Sequence, residues 1–106
     1  MKKETEQKIQ QLQMLEQGVQ QSNVQKQQFQ SQLLEVDSAL EEMESSEELY
    51  KIVGNIMIRS TKDDLKKDLN SKKEILSLRI KTLDKQETQL KEKATRLQQE
   101  VMKELK

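Results

Sequence analysis

The sequence has no cysteine, histidine, proline or tryptophan, and only two glycines and two aromatic residues, Phe29 and Tyr50, among 106 residues. Without cysteine there is no disulfide, no thiolate nucleophile and no sulfur-based metal site. Without histidine the usual general base near neutral pH and the commonest metal ligand are missing. No apolar run approaches the roughly 18 residues of a membrane helix, and the first residues are too polar for a signal peptide, so a cytoplasmic protein is expected. Apolar residues make up 32% of the chain, against about 45–50% in ordinary globular domains. One domain is expected at this length, but so few apolar residues make a thin core for a compact globule.

Charge is abundant instead, with 19 Lys and Arg against 19 Asp and Glu. Low hydrophobicity with high charge is a disorder signature when net charge or helix breakers accompany it. Here the signs cancel and breakers are nearly absent. The abundant residues are Gln, Glu, Lys and Leu, all good helix formers, so long helices are expected.

The zero net charge divides unevenly. Residues 1–53 hold 5 Lys against 10 acids, and residues 54–106 hold 14 basic residues against 9 acids, so the halves are complementary. From about Lys3 to Glu44 apolar residues recur at Leu12, Leu15, Val19, Phe29, Leu33, Val36, Leu40 and Met43. Their steps of three and four form a heptad, with Ser22 and Lys26 as polar interruptions. From about Lys62 onward the pattern returns at Leu69, Leu76, Ile80, Leu83, Leu90, Ala94, Leu97 and Val101, interrupted by Lys73 and Glu87.

Between the helices the period changes. Leu49 to Val53 and Ile56 to Ser60 are β-prone runs around Gly54-Asn55, the signal of a hairpin with a type I′ or II′ turn. Val53 then faces Ile56, and Ile52 faces Met57. Thr61 is placed to cap the next helix, with Asp63 and Asp64 at its positive end. The spacing predicts a single unit over 1–106: an N-terminal helix over 1–44, a linker and β-hairpin over 45–61, and a C-terminal helix over 62–106.

Each helix is either paired with a copy of itself or folded back on the other. Matched lengths, opposite charges and the central hairpin favour reversal into a long antiparallel two-helix coiled coil. Residue i then lies opposite roughly 109 − i: Leu33 meets Leu76, Leu12 meets Leu97, and Lys26 comes within a turn of Glu87. The acidic run Glu41, Glu42, Glu44, Glu47 and Glu48 reads either as a solvated helix end or as the partner of Lys62, Lys66 and Lys67.

The hairpin is apolar on both faces, with Tyr50, Ile52 and Met57 on one and Val53, Ile56 and Ile58 on the other. A lone two-stranded hairpin is marginal and its open edges invite strand addition. Oligomerisation through the hairpins into a shared sheet or barrel is the economical solution.

The run Tyr50-Lys51-Ile52-Val53-Gly54-Asn55-Ile56-Met57-Ile58-Arg59, followed by Thr61-Lys62-Asp63-Asp64-Leu65, resembles the central motif of prefoldin β-type subunits. The likeness extends through Leu78-Arg79 and Gln86-Glu87 and, more loosely, through the Gln-rich first helix. Room for one hairpin matches the β type, since α-type subunits carry two, and the short flanks resemble archaeal members. The resemblance implies a mainly α fold whose hairpin joins other subunits in a β-barrel body. It also implies an ATP-independent holdase, with two α-type and four β-type subunits, that grips non-native clients at coiled-coil tips and delivers them to a group II chaperonin.

A gripping site needs apolar groups that the seam does not consume. Met1, Ile9, Leu12, Met14, Val101, Met102 and Leu105 are the candidates, since methionine in particular suits a promiscuous surface. Leu12 and Val101 read equally well as the last turns of the seam. Lys103 and Lys106 are candidate chaperonin contacts or ordinary solvated lysines. No cofactor, metal, membrane or nucleic-acid partner is expected: the lysines alternate with acids and stacking aromatics are scarce. Nor is an enzyme, because no concave site would gather catalytic groups. The competing reading is a structural coiled-coil tether without client binding, which leaves the two-faced apolar hairpin unexplained.

Overall fold

The computed structural model describes residues 2–106, so the candidate Met1 lies outside the described residues. In chain order it contains α1 (Lys3–Glu44), β1 (Leu49–Val53), β2 (Ile56–Ser60) and α2 (Lys62–Leu105). Two long helices joined by a two-stranded antiparallel hairpin are the expected fold. The chain divides into two compact units, residues 28–79 and residues 2–27 with 80–106.

In the unit 28–79, the seam between the helices buries Val36, Met43 and Leu76. Full burial of such a side chain contributes about 1.5–3 kcal/mol. The Arg79 guanidinium lies 5.5 Å from the centre of the Phe29 ring, an attraction between a cation and the negative face of the ring. The acids at the end of α1 sit at the wrong pole of its macrodipole, as Lys62 and Lys66 do at the start of α2. The fold sets these two misfits against each other. Lys62 Nζ donates to the Glu44 carbonyl at 3.0 Å, and Lys66 pairs with the Glu44 carboxylate at 2.8 Å. The Ser45 and Ser46 hydroxyls donate to the Glu42 carbonyl at 3.2 and 3.0 Å, satisfying the end of α1. Of the two sequence readings of the acidic run, cross-pairing with lysines therefore holds for Glu44.

Thr61 caps α2 as expected: its Oγ1 accepts from the Asp64 N–H at 3.2 Å, and its carbonyl accepts from the Leu65 N–H at 3.1 Å. The strands pair Tyr50 with Arg59, Lys51 with Ile58, Ile52 with Met57 and Val53 with Ile56. Gly54 has φ of 61°, and no non-glycine residue among those described has positive φ. Asn55 therefore lies outside the left-handed region. This fits a type II′ turn and excludes type I′, which needs positive φ at both central residues.

In the unit formed by residues 2–27 and 80–106, Leu83 and Val101 are buried apolar residues, and Thr5, Ser22 and Glu87 are buried polar ones. Thr5 lies seven residues before Leu12, on the same seam. In this unit Thr5 bonds Glu104 and Lys26 bonds Asp84. In the other, Asp37 pairs with Lys73 and Glu44 with Lys66. All four pairs fall within one position of the expected register.

Candidate functional site

The hairpin is the first candidate. Local chemistry builds it: β-branched residues favour the extended backbone, and Gly54 takes the one conformation that other residues avoid. Tyr50, Ile52, Val53, Ile56, Met57 and Ile58 are between 49% and 69% exposed, on a sheet of two strands. Alternation places Tyr50, Ile52 and Met57 on one face and Val53, Ile56 and Ile58 on the other. A salt bridge from Lys51 to Asp68, 2.7 Å long, ties β1 to α2. The Lys51 ammonium holds the Asp68 carboxyl below its ordinary value, and Asp68 in turn raises Lys51. The hairpin is thus tied to α2 through the middle of β1 while its apolar side chains stay about half or more exposed, an arrangement suited to association.

The second candidate is the surface of the unit that carries the helix termini. Met14, Met102 and Leu105 are exposed, Ile9 and Leu12 are half-buried, and Val101 is buried in the seam. Lys103 and Lys106 are exposed. Counting heptad positions from the seam puts Met14 on one side of the helix pair and Ile9, Met102 and Leu105 on the other. The structure therefore distributes the expected gripping residues over two sides instead of gathering them.

Beside Met14 lies a groove that the sequence pattern did not single out. Leu15 and Leu97 line it together with Gln11, Lys93, Arg96 and Glu100. The signal for it is present in the sequence: Met14 is one residue off the seam, and Lys93 precedes Leu97 by one helical turn. Finding it needed the register that places these residues opposite each other. Val24, Leu34, Ile75 and Leu78 are further exposed apolar residues outside the heptad seam.

The same unit carries a polar layer inside its seam. Lys26 Nζ lies 2.8 Å from Asp84 and 3.0 Å from Glu87, and Lys91 reaches the other Glu87 oxygen at 3.0 Å. Hydrogen bonding to Lys26 and then Lys91 holds the Glu87 carboxyl below its ordinary value. Bonds to Asp84 and Glu87 raise Lys26. Nearer the termini, the Thr5 hydroxyl donates to Glu104 at 2.6 Å, while Lys8 pairs with Glu104 and lies 3.5 Å from Glu100. Lys8 and then Thr5 hold Glu104 below its ordinary value. Among the described residues no group of three acidic side chains could hold a metal ion, and no helix is long and apolar enough to cross a membrane.

Comparison with known proteins is consistent from all directions. The family described as "Prefoldin subunit" matches residues 6–106. The protein named "Prefoldin subunit beta" from Pyrobaculum arsenaticum is 41% identical over 83 residues, which span 76% of this chain and 67% of that relative. The protein of the same name from Archaeoglobus fulgidus is 38% identical over 96 residues, spanning 88% of this chain and 83% of the relative. The crystal structure of the prefoldin beta subunit from Thermococcus strain KS-1 superposes with a TM-score of 0.92 at 32% identity, covering 99% of this chain and 95% of that one.

Proposed function

The chain belongs to the prefoldin family, as a subunit of its β type, and we propose that it works as part of an ATP-independent holdase. Prefoldins are chaperones, not enzymes, and their β subunits assemble with other prefoldin subunits. On this reading residues 1–106 act as one prefoldin unit in the cytoplasm. Two α-type and four β-type chains join their hairpins into a barrel body, bind non-native proteins at the helix ends and pass them to a group II chaperonin. Lys103 and Lys106 are the proposed chaperonin contacts.

The observation that carries the reading is the hairpin: six large apolar side chains stand between 49% and 69% exposed on a two-stranded sheet. Such a surface is stable in water when other strands cover it. A tether has no use for it.

Client holding is assigned to Ile9, Met14, Met102 and Leu105, while the half-buried Leu12 and buried Val101 close the seam. Each contact is weak, and several subunits acting together raise the avidity. Replacing Ile9, Met14, Met102 and Leu105 by Ser is expected to leave a hexamer with an α-type subunit intact in native mass spectrometry. The same variant should lose suppression of client aggregation. Unchanged suppression would reject the assignment, and an inert dimer that suppresses nothing would return the chain to the tether class.

A further inference from the structure

The groove beside Met14 has a charge that the client-holding role does not by itself require. Its floor is apolar, made by Met14, Leu15 and Leu97. Met14 is 71% exposed and Leu15 and Leu97 are half-buried, so this apolar lining is reachable from solvent. Along α2, Lys93, Arg96 and Glu100 stand three and four residues apart and line the same side. Glu100, the anion of the set, already has the Lys8 ammonium 3.5 Å away. Lys93 and Arg96 have no ion-pair partner among the described residues. On α1 the groove contributes the neutral Gln11. The groove is therefore an apolar trough whose α2 side carries two cations without an ion-pair partner beside one acid, Glu100, which has Lys8 nearby.

We propose that Lys93 and Arg96 are specificity determinants that select non-native segments in which an apolar side chain is flanked by Asp or Glu. The apolar side chain rests on Met14 and Leu97, and the flanking carboxylates reach Lys93 and Arg96. The guanidinium donates two parallel N–H bonds to a carboxylate, and the ammonium acts as a mobile point charge. A segment flanked by Lys or Arg meets like charge and is rejected, so these cations discriminate by repulsion as well as attraction. An exposed pair of this kind shifts affinity by at most about fivefold per carboxylate, so the effect is a bias within a promiscuous surface. The proposal rests on the client-holding reading and adds to it a class of preferred client.

The test uses the full chain assembled with an α-type subunit and short fluorescent peptides sharing one Leu-centred core, flanked by Asp and Glu, by Ser, or by Lys. Fluorescence anisotropy is expected to rank the acidic-flanked peptide first and the basic-flanked one last. The gap should close as salt is raised beyond roughly 0.15 M, where screening acts within about 8 Å. Charge reversal by K93E with R96E should invert the order, and the milder K93Q with R96Q should level it. Met14→Ser should weaken all the peptides alike. Equal binding of the peptides overturns the selectivity and leaves the holdase reading standing. Failure of every peptide to bind a protein that still suppresses aggregation overturns the groove as a client site. Loss of both peptide binding and aggregation suppression in the unmodified protein overturns the holdase reading itself.

Discussion

The Lys26 ammonium on α1 lies 3.0 Å from the Glu87 carboxylate on α2, at a point where both helices present a polar residue to their own apolar seam. Glu87 is 8% exposed, and Lys91 satisfies its second oxygen. A buried ion pair is weak evidence for stability, because desolvation opposes the attraction, but it penalises every register that separates the partners. Lys26→Ala leaves Glu87 buried with a cation on one side only. Its thermal midpoint is expected to fall further than that of Lys73→Ala, whose partner Asp37 is well solvated. Replacing Lys26 and Glu87 together by Leu should restore or raise the midpoint. It should also loosen the register, seen as a lower yield of intrachain disulfide from cysteines placed at positions 33 and 76. A full yield from that pair in the double-Leu variant would show that the layer has no part in register.

The ion pairs set a pH window. Glu44, Asp68, Glu87 and Glu104 lie below their ordinary values of 4.5, 3.8, 4.5 and 4.5, so the stability they contribute is complete above about pH 4.5 and is lost as the pH falls through their lowered values. Lys8, Lys26, Lys51 and Lys66 lie above 10.5, so their contribution is complete below that pH and is lost as the pH rises through the raised values. Urea midpoints are expected to form a plateau between about pH 5 and 10 that drops on both sides. A midpoint that climbs on acidification below pH 4 would contradict the pairing.

The two glycines answer substitution with opposite signs. At Gly54 an added Cβ would touch nothing within 4 Å, yet φ is 61°, so Gly54→Ala has only a backbone penalty, about 1–2 kcal/mol. That penalty falls on the hairpin, and weaker assembly at unchanged helix content is the expected result by sedimentation and circular dichroism. At Gly18 the added Cβ would sit 3.4 Å from the movable Leu90 Cδ1. Gly18→Ala should therefore gain helix propensity and raise stability by up to about 1 kcal/mol.

Burial separates residues that hydrophobicity alone does not. Met43, 4% exposed, lies in the same unit as Leu34, 69% exposed. Met43→Ala is expected to destabilise by about 2–5 kcal/mol through the cavity it leaves. Leu34→Ala should stay within about 0.5 kcal/mol. Denaturation of the two variants under one condition distinguishes them.

Much of this was legible in residue order because its causes are local. The heptad steps through Leu12, Leu15, Val19, Ser22 and Lys26 locate a seam by spacing alone. Gly54-Asn55 between two β-prone runs sets Ile52 opposite Met57, and the fold keeps that pairing. Thr61 was recognisable as a cap because its bond to the Asp64 N–H spans three residues. Glu44 was harder to single out, since five acids of similar chemistry share the run and distance across the fold selects among them. Thr5, 2% exposed and bonded to Glu104, looked like any polar residue near a helix start.

Period and turn chemistry thus determined the element order and the hairpin register, the opposite charges and matched lengths of the helices favoured antiparallel pairing, and the resemblance of the run from Tyr50 to Leu65 pointed to the family. The element order and the register depend on neighbours a few residues apart or on a repeat that a heptad preserves. The tertiary structure decided the rest: the II′ turn, the bracketing of Glu87 by Lys26 and Lys91, the burial of Val101 beside the exposed Met102, and the groove that joins Met14 to Leu97 and Arg96. Apart from the turn, where the backbone at Asn55 chose between two types that the sequence left open, those outcomes depend on which side of one helix faces which side of the other. That relationship arises only when residues far apart in the chain are brought within a few ångströms.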